Sequence, residues 1–89
     1  MAKPIKYTER FLRNYRERIA KDLALKQEFI DSVDVFLENP AFVADHPLED
    51  VMADKRAFSI TDEYRVVYRD NGEYYLFLDV GTHDQVYTR

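Results

Sequence analysis

The sequence predicts an α+β domain, a two-layer sandwich with helices packed on one face of an antiparallel sheet. Three observations predict it. The first forty residues carry two consecutive apolar stripes at helical spacing. From Ala57 onward the period changes to the alternation of strands. Between two later apolar runs stands Asn71-Gly72, a pair suited to a tight hairpin that needs positive φ. With 89 residues, the chain is expected to form a single domain over 1–89.

Ile5-Lys6-Tyr7 alternates apolar and polar and reads as a short first strand. Thr8 follows as a helix N-cap, with Glu9 at the positive end of the helix dipole. Phe11, Leu12, Tyr15, Ile19 and Leu23 then share one face, while Arg10, Arg13, Arg16, Arg18 and Lys21 make the other face basic. This predicts a helix over about residues 9–22. A second stripe, Phe29, Ile30, Val33, Phe36 and Leu37, shares its helix with Glu28, Asp31, Asp34 and Glu38. Asn39-Pro40 ends it, because proline disfavours helical geometry in the residue before it. The two helices read as a hairpin, one basic and one acidic.

Residues 40–55 hold two prolines, His46 and scattered acids, and are expected to form an ordered, irregular connector. Ala57 to Ile60 is then a strand, Thr61-Asp62-Glu63 a turn and Tyr64 to Arg69 a second strand. Asp70 to Glu73 makes the hairpin turn into a third strand, Tyr74 to Val80, whose apolar run predicts a central position covered on both faces. Gly81-Thr82 is expected to break it, leaving His83 to Arg89 as a tail.

Charge is sorted along the chain. Residues 1–26 hold eight Lys/Arg against three Asp/Glu, residues 27–54 hold eight Asp/Glu and no Lys/Arg, and the net charge is -4. A global acidic balance argues against a large nonspecific nucleic-acid footprint but permits one local basic patch. The acidic block is also simply what the solvated side of a helix looks like. There is no cysteine, which excludes disulfides and thiolate metal sites and suits a reducing cytoplasm. No apolar run reaches the roughly 20 residues of a membrane helix, and the start does not read as a signal peptide. The expectation is a cytoplasmic protein with no membrane contact.

The second half of the chain carries more specific patterns. Asp45-His46-Pro47-Leu48, Ile60-Thr61-Asp62-Glu63-Tyr64-Arg65-Val66-Val67-Tyr68, and Asp79-Val80-Gly81-Thr82-His83 through Tyr87 together resemble the RelE-like toxins of type II toxin–antitoxin systems. The middle block is similar to the YoeB branch, and the His-Pro-Leu and Gly-Thr-His segments to the YafQ branch. The resemblance covers the whole chain in element order and about residues 45–87 in motifs. It implies a RelE-like two-layer sandwich: an N-terminal strand, a helical hairpin and a three-stranded antiparallel meander. It also implies a plasmid-stabilisation type of toxin, an endoribonuclease that enters the ribosome and cuts mRNA. There the ribose 2′-hydroxyl attacks the adjacent phosphate without a metal or other cofactor. The implied partners are the ribosome, mRNA and a cognate antitoxin protein held in a toxin–antitoxin hetero-oligomer.

Such a reaction needs a base, an acid, a cation on the developing phosphorane charge and a surface that holds a nucleobase. The resemblance assigns the cation to Arg65, whose apolar neighbours should point the other way; a solvated surface arginine is the plain alternative. It assigns proton transfer to His83, whose ordinary pKa suits neutral pH, and to His46, the alternatives being a loop residue and a turn around Pro47. Two histidines without a clear third ligand are weak grounds for a metal. Tyr87 is expected to touch the scissile nucleotide or to anchor the tail in the core. Glu63 serves as a base or as turn chemistry. Lys55, Arg56, Tyr64 and Arg69 are the expected RNA-binding residues, with edge-strand protection as the other reading of Lys55 and Arg56.

The chain departs from the resemblance at four positions. Ser59 stands where YafQ relatives carry a histidine, Asp79 where they carry an arginine, and Asp50 and Asp54 at connector positions often held by glycine. The exchanges at Ser59 and Asp79 are expected to weaken proton transfer and phosphate affinity. Two other functions stay open on the sequence: a ParE-like gyrase inhibitor, and a catalytically degenerate toxin that binds its antitoxin. An apolar groove over the helical hairpin is the expected landing surface for that antitoxin.

Overall fold

Thr8 decides where the first strand becomes a helix. Its hydroxyl oxygen accepts from the Phe11 N–H at 3.1 Å, closing the N-cap, and the same hydroxyl lies 3.3 and 3.2 Å from the carbonyls of Phe77 and Leu78. The computed structural model describes residues 3–49 and 52–87. Strand β1 (Ile5–Tyr7) enters α1 (Glu9–Arg18), which turns directly into α2 (Leu23–Glu38). The first helix therefore ends before the expected residue 22. Asp22 accepts from the Leu25 N–H as the N-cap of α2, so residues 19–22 must leave helical geometry to make the turn.

Asn39-Pro40 ends α2 as expected, and the Asn39 side chain caps a 3₁₀ turn over Pro40–Val43. Ala44 follows with φ of 57°, a left-handed backbone that redirects the chain. The connector then contributes a two-residue strand, β2 (His46–Pro47), that the sequence did not signal. Strands β3 (Arg56–Ser59), β4 (Tyr64–Asp70) and β5 (Tyr75–Thr82) form the expected meander. Gly72 supplies the positive φ, 93°, that the β4–β5 turn requires.

The third meander strand runs further than expected. Gly81 and Thr82 do not break it but pair with Arg65 and Tyr64. The tail is instead a short helix, α3 (His83–Tyr87); residues 88–89, and Asp50, lie outside the described residues. Thr82 and Gln85 hold the start of α3 reciprocally. The Thr82 N–H donates to Gln85 Oε1 at 2.9 Å, and the Gln85 N–H donates to Thr82 Oγ1 at 3.3 Å. This is a capping box.

The sheet order is β1-β5-β4-β3-β2, with β1 parallel to β5 and every other neighbour antiparallel. The helical hairpin makes the crossover that the parallel pair needs. One sheet face buries the main core: Phe11, Ile19, Leu25, Phe29 and Phe36 from the helices meet Phe58, Val66, Tyr68, Phe77 and Val80. The opposite face is not bare. Ala57, Val67 and Val86 form a smaller cluster there, packed by Leu48, Met52, Leu78 and Tyr87. β5 is thus an interior strand between β1 and β4, covered on both sides, and the α-helix α3 lies on the second face. No helix among the described residues is long and apolar enough to cross a membrane.

Candidate functional site

Alternation along β4 sends Val66 and Tyr68 into the main core, so Arg65, Val67 and Arg69 project from the opposite face. Ser59 is the cross-strand partner of Arg65 and shares that face. Arg65 Nη1 donates to Ser59 Oγ at 2.6 Å and to the Thr61 carbonyl at 3.4 Å. Both acceptors are neutral. Among the described residues Arg65 makes no ion pair, whereas Arg56 meets Asp45, Arg69 meets Asp54, and Arg10 and Arg18 meet Asp79. Among the described residues Arg65 is therefore a half-buried cation without a carboxylate partner.

α3 packs against the same face through Val86. Its helical spacing places His83 and Tyr87 one turn apart, with ring centroids 4.4 Å from each other and planes at 80°. Burial pushes the Tyr87 phenol above its ordinary pKa, while the charge of Arg65 pulls weakly the other way. The Tyr87 hydroxyl is buried and has no hydrogen-bond partner among the described residues. A buried phenol without a partner costs about 1–3 kcal/mol, a cost that a ligand oxygen would relieve. His83 is exposed, with Nδ1 3.7 Å from Asp84. Arg65, Tyr87 and His83 thus occupy one face of the sheet.

The other anticipated residues are more scattered. His46 lies opposite Ala57 on β2, on the Arg65 face but about 10 Å from β4, two strand spacings away. Its Nδ1 is 3.1 Å from the Ala44 carbonyl, which can only accept; a neutral His46 keeping that bond carries its proton there and leaves Nε2 as the acceptor. Glu63 is exposed in the turn before β4. Tyr64 faces away from Arg65 and packs against the helix-side core. Lys55 contacts Asp54 at 3.2 Å, and Arg69 contacts Asp54 at 2.8 Å. Arg56 projects on the helix side beside Tyr68, and its Nε and Nη2 donate to Asp45 at 3.0 and 2.5 Å. All three carry a carboxylate partner.

Asp79 is buried and turned toward α1. It accepts from Asn14 Nδ2 at 2.7 Å and from the Val80 N–H at 2.8 Å, with Arg10 and Arg18 at 3.5 and 3.6 Å. Its acidity serves the α1–β5 junction. Sequence reasoning missed Asn14, Arg18, Gln85 and Asp45 as contributors to this arrangement. Only Gln85 left a local signal, the Thr-x-x-Gln of the capping box. Among the described residues, no group of three or more His, Asp or Glu side chains is placed to hold a metal ion.

No protein-family model and no curated protein matches the sequence. Solved structures do match its fold. YafQ from E. coli strain BL21(DE3) superposes with a TM-score of 0.71 at 19% identity, over 96% of this chain and 98% of that one. A YoeB/ParE toxin from Agrobacterium tumefaciens gives 0.73 at 22% identity, over 90% and 98%. A chain of the toxin–antitoxin complex RelBE2 from Mycobacterium tuberculosis gives 0.70 at 21%, over 93% and 100%. The superpositions run over nearly the full length of each, and the fold of this chain is that of the RelE-like toxins.

Proposed function

We propose that this chain is the toxin of a type II toxin–antitoxin pair and acts as a metal-independent endoribonuclease on mRNA in the ribosome. One observation carries the reading: Arg65, which meets no carboxylate among the described residues, shares its face with the buried phenol of Tyr87, which has no hydrogen-bond partner among them. A guanidinium and a hydroxyl donor beside one another suit a phosphate whose charge grows as it passes to a phosphorane.

In this reading the ribose 2′-hydroxyl attacks the neighbouring phosphorus and the bond to the 5′ oxygen breaks. The products are a cyclic phosphate and a free 5′-hydroxyl. Arg65 holds the nonbridging oxygens. The Tyr87 phenol is protonated and able to donate at neutral pH, as an ordinary tyrosine is. His83, exposed at the rim, exchanges a proton with the attacking or leaving oxygen, and its ring edge against Tyr87 leaves a face for a base to stack on. His46 Nε2 serves a substrate that spans from β4 toward β2, and Lys55 and Arg69 border its path.

The partner reading is a cognate antitoxin. The RelBE2 chain was solved as a toxin–antitoxin complex. On this chain an open apolar groove of about 240 Å³ lies between the helices, lined by Tyr7, Phe11, Leu12, Tyr15 and Phe29. It suits the apolar face of an antitoxin segment that folds on binding.

The test is expression from a tight promoter with mapping of message 5′ ends. New ends that vanish with Arg65→Ala support the nuclease. Growth arrest with unchanged messages rejects it, and equal toxicity of wild type and Arg65→Ala leaves antitoxin binding as the function.

A further inference from the structure

We propose that Arg18, reaching from α1 over the free edge of β5, is a second phosphate-binding guanidinium of the face that carries Arg65. The inference rests on the RNA reading above and adds a residue to it. β1 pairs only with Tyr75, Leu76 and Phe77, so the rest of that edge of β5 is left to α1. Arg18 Nη1 donates to the Val80 carbonyl at 2.9 Å. Arg10 and Arg18 both approach the Asp79 carboxylate, so two guanidiniums share one acid.

Gly81 lets Arg18 come this close. A Cβ at Gly81 would stand 2.7 Å from Arg18 Nη1 and 2.6 Å from Gln85 Oε1. Gly81 is the cross-strand partner of Arg65, and paired residues project to the same face. The Arg18 nitrogen therefore occupies the space that a side chain at 81 would fill beside Arg65. Gln85 closes the same space from α3, the helix that carries His83 and Tyr87. Arginine presents five N–H donors in a fork, and the contacts to Val80 and Asp79 both run through Nη1. Donors thus remain for an incoming oxygen, and the Arg18 side chain is 25% exposed. A phosphodiester offers two nonbridging oxygens, one to each guanidinium.

The test is binding of a fluorescently labelled single-stranded RNA, made uncleavable by 2′-O-methyl groups, to the full chain at several salt concentrations. Arg18→Ala is expected to weaken binding about tenfold and to lower the salt slope by about one. Gly81→Ala is expected to weaken it comparably with Arg18 still present, because the new methyl displaces Nη1. Urea unfolding of each variant checks that it folds. If Arg18→Ala does not fold, Arg18→Gln removes the charge and retains a donor for Val80. Wild-type affinity in Arg18→Ala or Arg18→Gln, with Arg65→Ala weakened, overturns the proposal alone. Wild-type affinity in Arg65→Ala as well overturns the RNA-phosphate reading with it. Tight, Arg18-dependent binding without any cleavage of mRNA on ribosomes upholds the proposal and removes only the nuclease chemistry.

Discussion

Tyr68 on β4 donates its phenolic hydrogen to the carboxylate of Asp45 in the connector. The same carboxylate accepts two hydrogen bonds from Arg56. Asp45 is thereby nearly buried, with 8% side-chain exposure, and ties the connector to β3 and β4. The neighbouring residue, His46, gains its register opposite Ala57 from this clamp.

Removing that carboxylate is expected to be costly. Asp45→Ala leaves the buried Tyr68 hydroxyl without an acceptor and Arg56 without its ion partner. The expected loss is about 2–3 kcal/mol, tempered because Arg56 stays partly in water. Urea unfolding measures it, and a loss near zero would show that the clamp contributes nothing.

Alkaline pH should expose the buried phenols. Burial, reinforced by Asp45, holds Tyr68 well above the ordinary tyrosine range, and burial raises Tyr87. In each case the unfolded chain loses its proton first. The stability these phenols contribute is intact below about pH 10 and is lost as the pH climbs through the folded-state values. Ultraviolet titration should show two of the seven tyrosines ionising last, together with the onset of unfolding.

Arg65→Lys keeps the charge but loses the planar guanidinium, whose Nη1 reaches Ser59 and Thr61 and whose other donors are, among the described residues, free for phosphate. Cleavage of mRNA is expected to drop by a factor of about 10²–10³, with stability changed by less than about 1 kcal/mol. Single-turnover kinetics alongside thermal melting separates the two effects.

Gln85 is expected to act through α3. Gln85→Ala opens the capping box and should cost about 1 kcal/mol, whereas Gln85→Glu restores the acceptor and should melt like the wild type. Equal melting of all three proteins would remove the box as the cause of α3.

Much of the fold was legible because its signals are local. The apolar stripe from Phe11 to Ile19 and the one from Phe29 to Leu37 each repeat with the helical period, and Asn71-Gly72 names its own turn. α3 carried an equally local signal in Thr82 and Gln85, but the glycine before it reads as a strand breaker. In the sheet Gly81 instead gives room to Gln85 and Arg18. β2 had no signal at all: two residues cannot show a period, and its place depends on Asp45 meeting Tyr68.

By itself the sequence determined the first two helices, the meander and the side of β4 from which Arg65 projects, since periods of 3.6 and 2 residues are properties of a short stretch of chain. Only the tertiary structure decided which charges cancel. Asp79 meets Asn14 across 65 positions of sequence, while Arg65 is left beside neutral oxygens. Ionic pairing depends on distances in space, and those exist only after the sheet has formed and the first helix has settled along its edge.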